Sequence, residues 1–316
     1  MLPRPRLLLL LTTPPLMWAA NAVVGRLAVD MIGPLWLNAL RWSLALLILL
    51  PLGWRAIAGA QARRQIALRW RHLAILGLLG VGSYNALQYL ALRTSTPLNV
   101  TLIASSMPVW SMLVGVLFYR AHPSRVEVAG ALLSLAGVAT VIARGDPAAL
   151  WQIRLVEGDV LMLVAIVGWS FYSWMLARPP ATMSGGERPN WDWASFLLVQ
   201  CLFGIVWSYA GAGLGELLLA PVAVDWSWQL ALAVVFVAVG PSVLAYRAWG
   251  LAVAEAGPAV AAIFYNLTPL LAALLSALVI GQWPQPYHAI AFTLIVAGIL
   301  VATRGKARPP RPLSAR

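Results

Sequence analysis

The chain is short of charge. Lysine, arginine, aspartate and glutamate make up 10% of its 316 residues, against about a quarter in a soluble domain. It is also short of cysteine: Cys201 stands alone in an apolar run, which excludes a disulfide framework. The 10 acidic residues avoid the middles of the apolar runs, and the three histidines (His72, His122 and His288) fall at their edges or between them. Paired membrane aspartates for proteolysis, an acid or base for group transfer, a phosphate loop and a metal-ligand cluster are all missing. No cofactor and no metal is expected, and an intramembrane enzyme is disfavoured. What the chain has in abundance is apolar surface. Hydrophobic residues are 61% of the total, mean hydropathy is +0.81, and 16 tryptophans supply side chains that settle at membrane–water boundaries. The expected fold class is an all-α integral membrane protein, with the lipid bilayer as its main partner.

A span needs about 20 apolar residues, and ten such segments fit: Leu7–Val29, Pro34–Leu52, Leu73–Leu92, Leu98–Tyr119, Val126–Ala143, Val160–Ala177, Trp193–Tyr209, Trp228–Gly250, Ala259–Ile280 and Tyr287–Thr303. The loops between them are brief and leave no room for a catalytic domain outside the membrane. The net charge of +12 needs no nucleic acid to explain it, because cytoplasmic loops of membrane proteins collect basic residues. With the N-terminus inside, only Arg26, Arg41, Arg93, Arg144 and Arg154 of the 22 basic residues fall on or toward the far side. Asp30, Asp146, Glu157, Asp159, Glu216 and Asp225 lean outward. Both termini are therefore expected in the cytoplasm. Arginine in place of lysine, with abundant alanine and leucine, suits a GC-rich bacterial genome and hence an inner membrane. Ala20-Asn21-Ala22 behind Arg4 and Arg6 resembles a signal-peptidase site, but the first span has a counterpart later in the chain and is expected to be retained.

That counterpart belongs to a repeat. PLNVTLIASSMP runs from Pro97 to Pro108 and PAVAAIFYNLTP from Pro258 to Pro269, 161 residues apart, and Gly137 meets Gly298 at the same offset. Earlier in each half the offset drifts, so that Trp18 meets Trp169 and Asn21 meets Tyr172. Residues 1–145 and 160–304 are thus two copies of a five-span unit, joined by an outer linker at 146–159 and followed by a basic tail at 305–316. An odd number of spans per copy inverts the second relative to the first, an arrangement common to secondary transporters. Pro97 and Pro258 fall in the first turn of their spans, where proline is tolerated. Pro108 and Pro269 fall mid-span, where a kink is acceptable beside a cavity or under covering neighbours.

The stretches MWAANAVVGRLAVDMIGPLWLNALRW, QYLALRTSTPLNVTLIASSMPVWSMLVGVLFYR and AGALLSLAGVATVIARGD are similar to the EamA unit of the drug/metabolite transporter superfamily, and YRAWGLAVAEAGPAVAAIFYNLTPLLAALLSALVIGQ with LIVAGILVATRGK resembles a second copy. The resemblance covers nearly the whole chain. It implies an inner-membrane transporter of ten spans, often an exporter of amino acids or other small metabolites. One departure stands out: family members often carry a glutamate at the end of the ninth span, where this chain has Gly281-Gln282.

Polar groups within a membrane face the protein interior. Trp18 and Asn21 share a face of the first span, Trp169 and Tyr172 of the sixth. Tyr84, Asn85 and Gln88 lie on the third, Tyr246 on the eighth. Ser105, Tyr265 and Asn266 directly precede the mid-span prolines. Amides and hydroxyls among aromatic rings describe a mostly apolar pocket, suited to neutral or aromatic amino acids as small-molecule substrates. Phosphorylated sugars would want two or more buried cations. The second span looks mainly lipid-facing. Arg41 within it either reaches the pocket or snorkels to the headgroups, and Arg247 poses the same choice. With no acid mid-span, facilitated movement is favoured over proton antiport. A drug or metabolite exporter driven by protons is the alternative reading, and a monomer is compatible with the sequence.

Overall fold

The computed structural model describes residues 5–28, 31–91, 93–95, 97–152, 156–218, 224–281, 283 and 285–304. Expectations for Arg4, Asp30, Arg154, Gln282 and the tail at 305–316 lie outside these residues, as do those for the side chains of Arg26, Pro97, Glu216 and Arg304. Among the described residues nine helices are long and apolar enough to cross a membrane, and a broken helix at 97–119, with its shorter apolar piece, makes a tenth span. They are α1 (Pro5–Ala28), α2 (Pro34–Gly53), α3 (Gly59–Ala91), α4 (Pro97–Ser105 with Met107–Tyr119), α5 (Arg125–Ile142), α6 (Glu157–Ala177), α7 (Trp193–Leu218), α8 (Trp228–Ala256), α9 (Pro258–Tyr265 with Thr268–Ile280) and α10 (Pro286–Arg304). No strand occurs among the described residues.

Local chemistry sets several of these boundaries. Pro34 and Pro258 open α2 and α9, where the missing N–H would have had no helical partner. Ser124 starts α5 through a capping box: the Glu127 N–H donates to the Ser124 Oγ at 3.2 Å, and the Ser124 N–H donates to the Glu127 carboxylate at 2.8 Å. The two mid-span prolines do more than kink their helices. α4 stops at Ser105 and restarts at Met107, while α9 stops at Tyr265 and restarts at Thr268. Pro108 and Pro269 each sit in the first turn of the second piece.

A further irregularity has no proline pattern behind it. α3 passes through a π-helical turn at Gly77–Ser83, and α8 through another at Ala238–Leu244. The two turns are again 161 residues apart.

The two halves interleave as mates. α1 packs on α8 as α6 packs on α3; α9 packs on α1 as α4 packs on α6; α2 pairs with α7, and α5 with α10. This is an inverted repeat written in contacts. The α5–α10 seam is a close one. A Cβ on Gly130 would lie 2.5 Å from the Gly298 carbonyl oxygen, and one on Gly298 would lie 2.6 Å from that of Gly130. Small residues of this kind let membrane helices approach backbone to backbone.

Two expectations for α2 need correction. It is not mainly lipid-facing, because Leu35, Asn38, Ala39, Arg41, Trp42, Ala45 and Leu49 are buried, largely against α7. Arg41 does not snorkel: it is 1% exposed. Leu47 and Leu50 form the exposed apolar side of α2, as Leu117, Phe118, Val206 and Leu278 do on other spans. Arg247 does stay exposed, its guanidinium 4.4 Å from the centre of the Trp193 ring.

Candidate functional site

A cavity of about 530 Å³ lies between the halves. This is within the 300–1,000 Å³ range of small-molecule sites. α1 contributes Trp18, Asn21, Ala22 and Gly25; α3 contributes Tyr84, Asn85, Gln88 and Tyr89; α4 contributes Val100, Thr101, Ala104 and Ser105. Trp169 of α6, Tyr246 of α8, and Tyr265, Thr268, Pro269 and Ala272 of α9 complete the wall. Among the described residues, none on this wall is charged.

Its closed end is aromatic. The Trp18 ring contacts Trp169 edge-on at 5.4 Å between centroids, Trp249 at 5.3 Å and Tyr265 at 5.8 Å. Tyr84 packs on Trp169 at 5.1 Å, and its hydroxyl lies 3.1 Å from that of Tyr265. Tyr246 stands edge-on to Trp169 at 5.4 Å. The other end is reached through Gly25, Gln88, Thr101 and Ala272. All four lie toward the ends of α1, α3, α4 and α9 that are opposite the arginine-rich loops.

The π-helical turns tie this cluster to the scaffold. The Trp18 Nε1 donates to the Pro241 carbonyl at 3.2 Å, and the Tyr246 hydroxyl donates to the Gly80 carbonyl. Gly80 and Pro241 hold equivalent places in the two turns. A π turn shifts the backbone ladder and releases carbonyls from helical pairing, so here the irregular backbone supplies acceptors to the rings around the cavity.

Nine of the eleven residues singled out in the sequence come together on this wall: Trp18, Asn21, Tyr84, Asn85, Gln88, Ser105, Trp169, Tyr246 and Tyr265. The other two lie off it. Tyr172 is buried behind the cavity, donating to Gln200 of α7 at 3.1 Å. Asn266 is fully buried at the break in α9 and donates to Ser134 of α5 at 3.0 Å. Their mates in the first half, Asn21 and Ser105, do line the cavity. Other mates, Trp18 with Trp169 and Asn85 with Tyr246, line it together. Among the prolines whose side chains are described, Pro269 reaches the wall, while Pro108 is buried in α4 and Pro258 at the start of α9. Sequence reasoning passed over Val100, Thr101, Ala104, Thr268 and Ala272. Thr101 and Ala104 share a helical face with Ser105, which is the signal that could have found them.

A second concavity of about 660 Å³ opens at the arginine-rich end, between the start of α3 and the loop before α7. Arg69 closes its floor. It donates through Nε to the Thr182 carbonyl at 2.6 Å and through Nη2 to the Glu187 carbonyl at 2.6 Å. Its donors are used to hold that loop against α3.

Ten helices in two inverted halves, around an aromatic cavity, define a multi-pass membrane transporter. Residues 6–143 and 156–304 each match the EamA-like transporter family, and the chain belongs to that family. An uncharacterized transporter of Archaeoglobus fulgidus is 26% identical, with 93% of this chain and 96% of its own covered. The aromatic amino acid exporter YddG of Ancylobacter novellus is 25% identical over 91% of this chain and 93% of its own. A probable terminal-alkyne amino-acid exporter of Streptantibioticus cattleyicolor is 24% identical over 91% and 90%. Solved structures share the fold, among them one with a TM-score of 0.71 at 24% identity over 95% of this chain and 97% of its own.

Proposed function

We propose that this transporter exports neutral amino acids, aromatic ones foremost, across a bacterial inner membrane by alternating access. The observation that carries this reading is the cavity: rings of Trp18, Trp169, Tyr84, Tyr246 and Tyr265 around the amides of Asn21, Asn85 and Gln88. Aromatic faces bury a planar side chain and attract an ammonium group, while amide N–H groups can donate to a carboxylate. The names of two relatives, an aromatic amino acid exporter and a probable terminal-alkyne amino-acid exporter, lean the same way. With both termini in the cytoplasm, as arginine placement favours, the open end faces outward. Among the described residues the wall carries no carboxylate or histidine to relay a proton, which favours facilitated diffusion down the solute gradient.

Counterflow in proteoliposomes tests this. Vesicles preloaded with neutral amino acids, without any ion gradient, are expected to take up labelled tryptophan and methionine selectively. No counterflow of any amino acid would remove them as substrates and turn the search to drugs and other metabolites. A several-fold stimulation by a pH gradient at fixed substrate would replace facilitated movement with proton coupling.

A further inference from the structure

Arg41 is the most anomalous residue of the membrane interior. It is the eighth residue of α2, about 10 Å into the helix at 1.5 Å per residue, and 1% exposed. Its Nε donates to the Ser242 Oγ at 2.9 Å. Its Nη1 is buried and has no hydrogen-bond partner among the described residues. The guanidinium carbon lies 5.7 Å from the centre of the Trp42 ring, and the Trp42 Nε1 is likewise buried without a partner. Arginine keeps its charge in proteins, and a buried charge is costly unless it is paired. The sequence places no acid in the middle of any span to pair with it.

The guanidinium also lies one layer behind the cavity. Ser242 sits within the π-helical turn of α8, and Tyr246, one turn further, is cavity wall. The Tyr246 ring stands edge-on to Trp42 at 4.8 Å on one side and to Trp169 at 5.4 Å on the other. Tyr246 is therefore the partition between the cation and the space where a ligand would sit.

We propose that Arg41 recognises a carboxylate carried by the transported molecule, through a movement of Tyr246 that opens the cavity to its Nη1. One cation with a free donor matches one monoanion, and the planar guanidinium fork suits a carboxylate. This rests on the reading of the cavity as an amino acid site and adds the group that distinguishes an acid from its amide. A positively charged centre whose Nη1 has no partner among the described residues also explains why neutral walls suffice around the rest of the ligand.

The test uses the full-length protein in detergent, with phenylacetate, phenylacetamide and sodium chloride as probes and thermal melting as readout. Phenylacetate is expected to raise the melting temperature of the native protein by a few degrees, with phenylacetamide inert. Arg41→Gln is expected to abolish the shift. Arg41→Lys, which keeps the charge and is the fallback should the Gln variant not purify, is expected to reduce it. Equal shifts by acid and amide, or a shift that survives in Arg41→Gln, would overturn the proposal. So would chloride reproducing the whole shift, since the ligand would then be a small inorganic anion. Counterflow separates this inference from the one beneath it. If no amino acid exchanges but the Arg41-dependent shift remains, the amino acid reading fails and the carboxylate site stands. Exchange of tryptophan and tryptophanamide at equal rates in the native protein would sink the carboxylate site and leave the transporter.

Discussion

Releasing the Tyr246 hydroxyl from Gly80 should move the transporter toward its opposite conformation. The reason lies in the repeat. Trp18 donates to the carbonyl of Pro241, and the equivalent pair in the other half is Trp169 and Gly80. The Trp169 Nε1 is buried without a partner, while the Gly80 carbonyl is taken by Tyr246. In a conformation with the roles of the halves exchanged, Trp169 is the donor for Gly80. Tyr246→Phe keeps the ring and removes only the competing donor. Interhelical hydrogen bonds in membranes are worth about 0.6 kcal/mol on average, which corresponds to about a threefold rise in the minor conformation. Trp18→Phe should give a rise of similar size. The two together should approach eightfold if independent, and depart from it if their rings, 6.4 Å apart, couple. Ala262 is the place to read this. It is 1% exposed and is the mate of Thr101, which lines the open cavity. The native cysteine does not interfere, because Cys201 is fully buried. Maleimide labelling of Ala262→Cys should therefore be slow in the parent and about three times faster with Tyr246→Phe. An unchanged labelling rate in both Tyr246→Phe and Trp18→Phe would refute the exchange of donors.

Other expectations follow from single contacts. Asn85→Ala and Trp169→Ala should lower transport efficiency by about five- to thirtyfold, the equivalent of roughly 1–2 kcal/mol for a lost polar or packing contact, with expression unchanged; normal transport kinetics in both would mean the cavity is not the substrate site. Gly130→Leu should destabilise the protein by at least about 1–3 kcal/mol, because even its Cβ would meet the Gly298 carbonyl at 2.5 Å. Gly211→Ala, with no atom within 4 Å of the added carbon, should melt like the parent. Asp192 accepts the Ser195 N–H at 2.8 Å at the start of α7, and this bond holds its carboxyl below the usual carboxylate range. Its contribution, about 0.5–2 kcal/mol for an N-cap, is present above the unfolded-state pKa and lost as pH falls through the lower folded value. Melting of Asp192→Ala should accordingly fall below that of the parent at pH 7 and converge with it in strong acid.

The sequence carried the helices and their duplication well, because a span leaves a long apolar signal and a repeat leaves paired prolines and glycines. It carried the cavity less evenly. Asn21 and Tyr172 occupy matching places, and a reading by helix face treats them alike. Trp18 and Trp169 both line the cavity, whereas Tyr172 and Asn266 turn to Gln200 and Ser134, and a pattern by helix face does not tell these cases apart. α2 misled for a different reason: leucine and alanine serve equally against lipid and against another helix, so composition does not tell which neighbour it has. The π-helical turns left no legible trace. GLLGVGS and AVGPSVL share a glycine-bearing, apolar character, but no spacing rule distinguishes them from ordinary helix.

The α5–α10 seam has a consequence for assembly. Gly130 meets Gly298 and Ala302, while Gly137 meets Ala291 and Ile295. Since Gly130 is the counterpart of Ala291 and Gly137 of Gly298, the surface is complementary to its own copy, as at the interface of a two-fold dimer. Here one polypeptide carries both copies. Joining them replaces an equilibrium between separate molecules with a fixed effective concentration. Dilution in lipid, which would pull unlinked halves away from each other, leaves this pair together at any expression level.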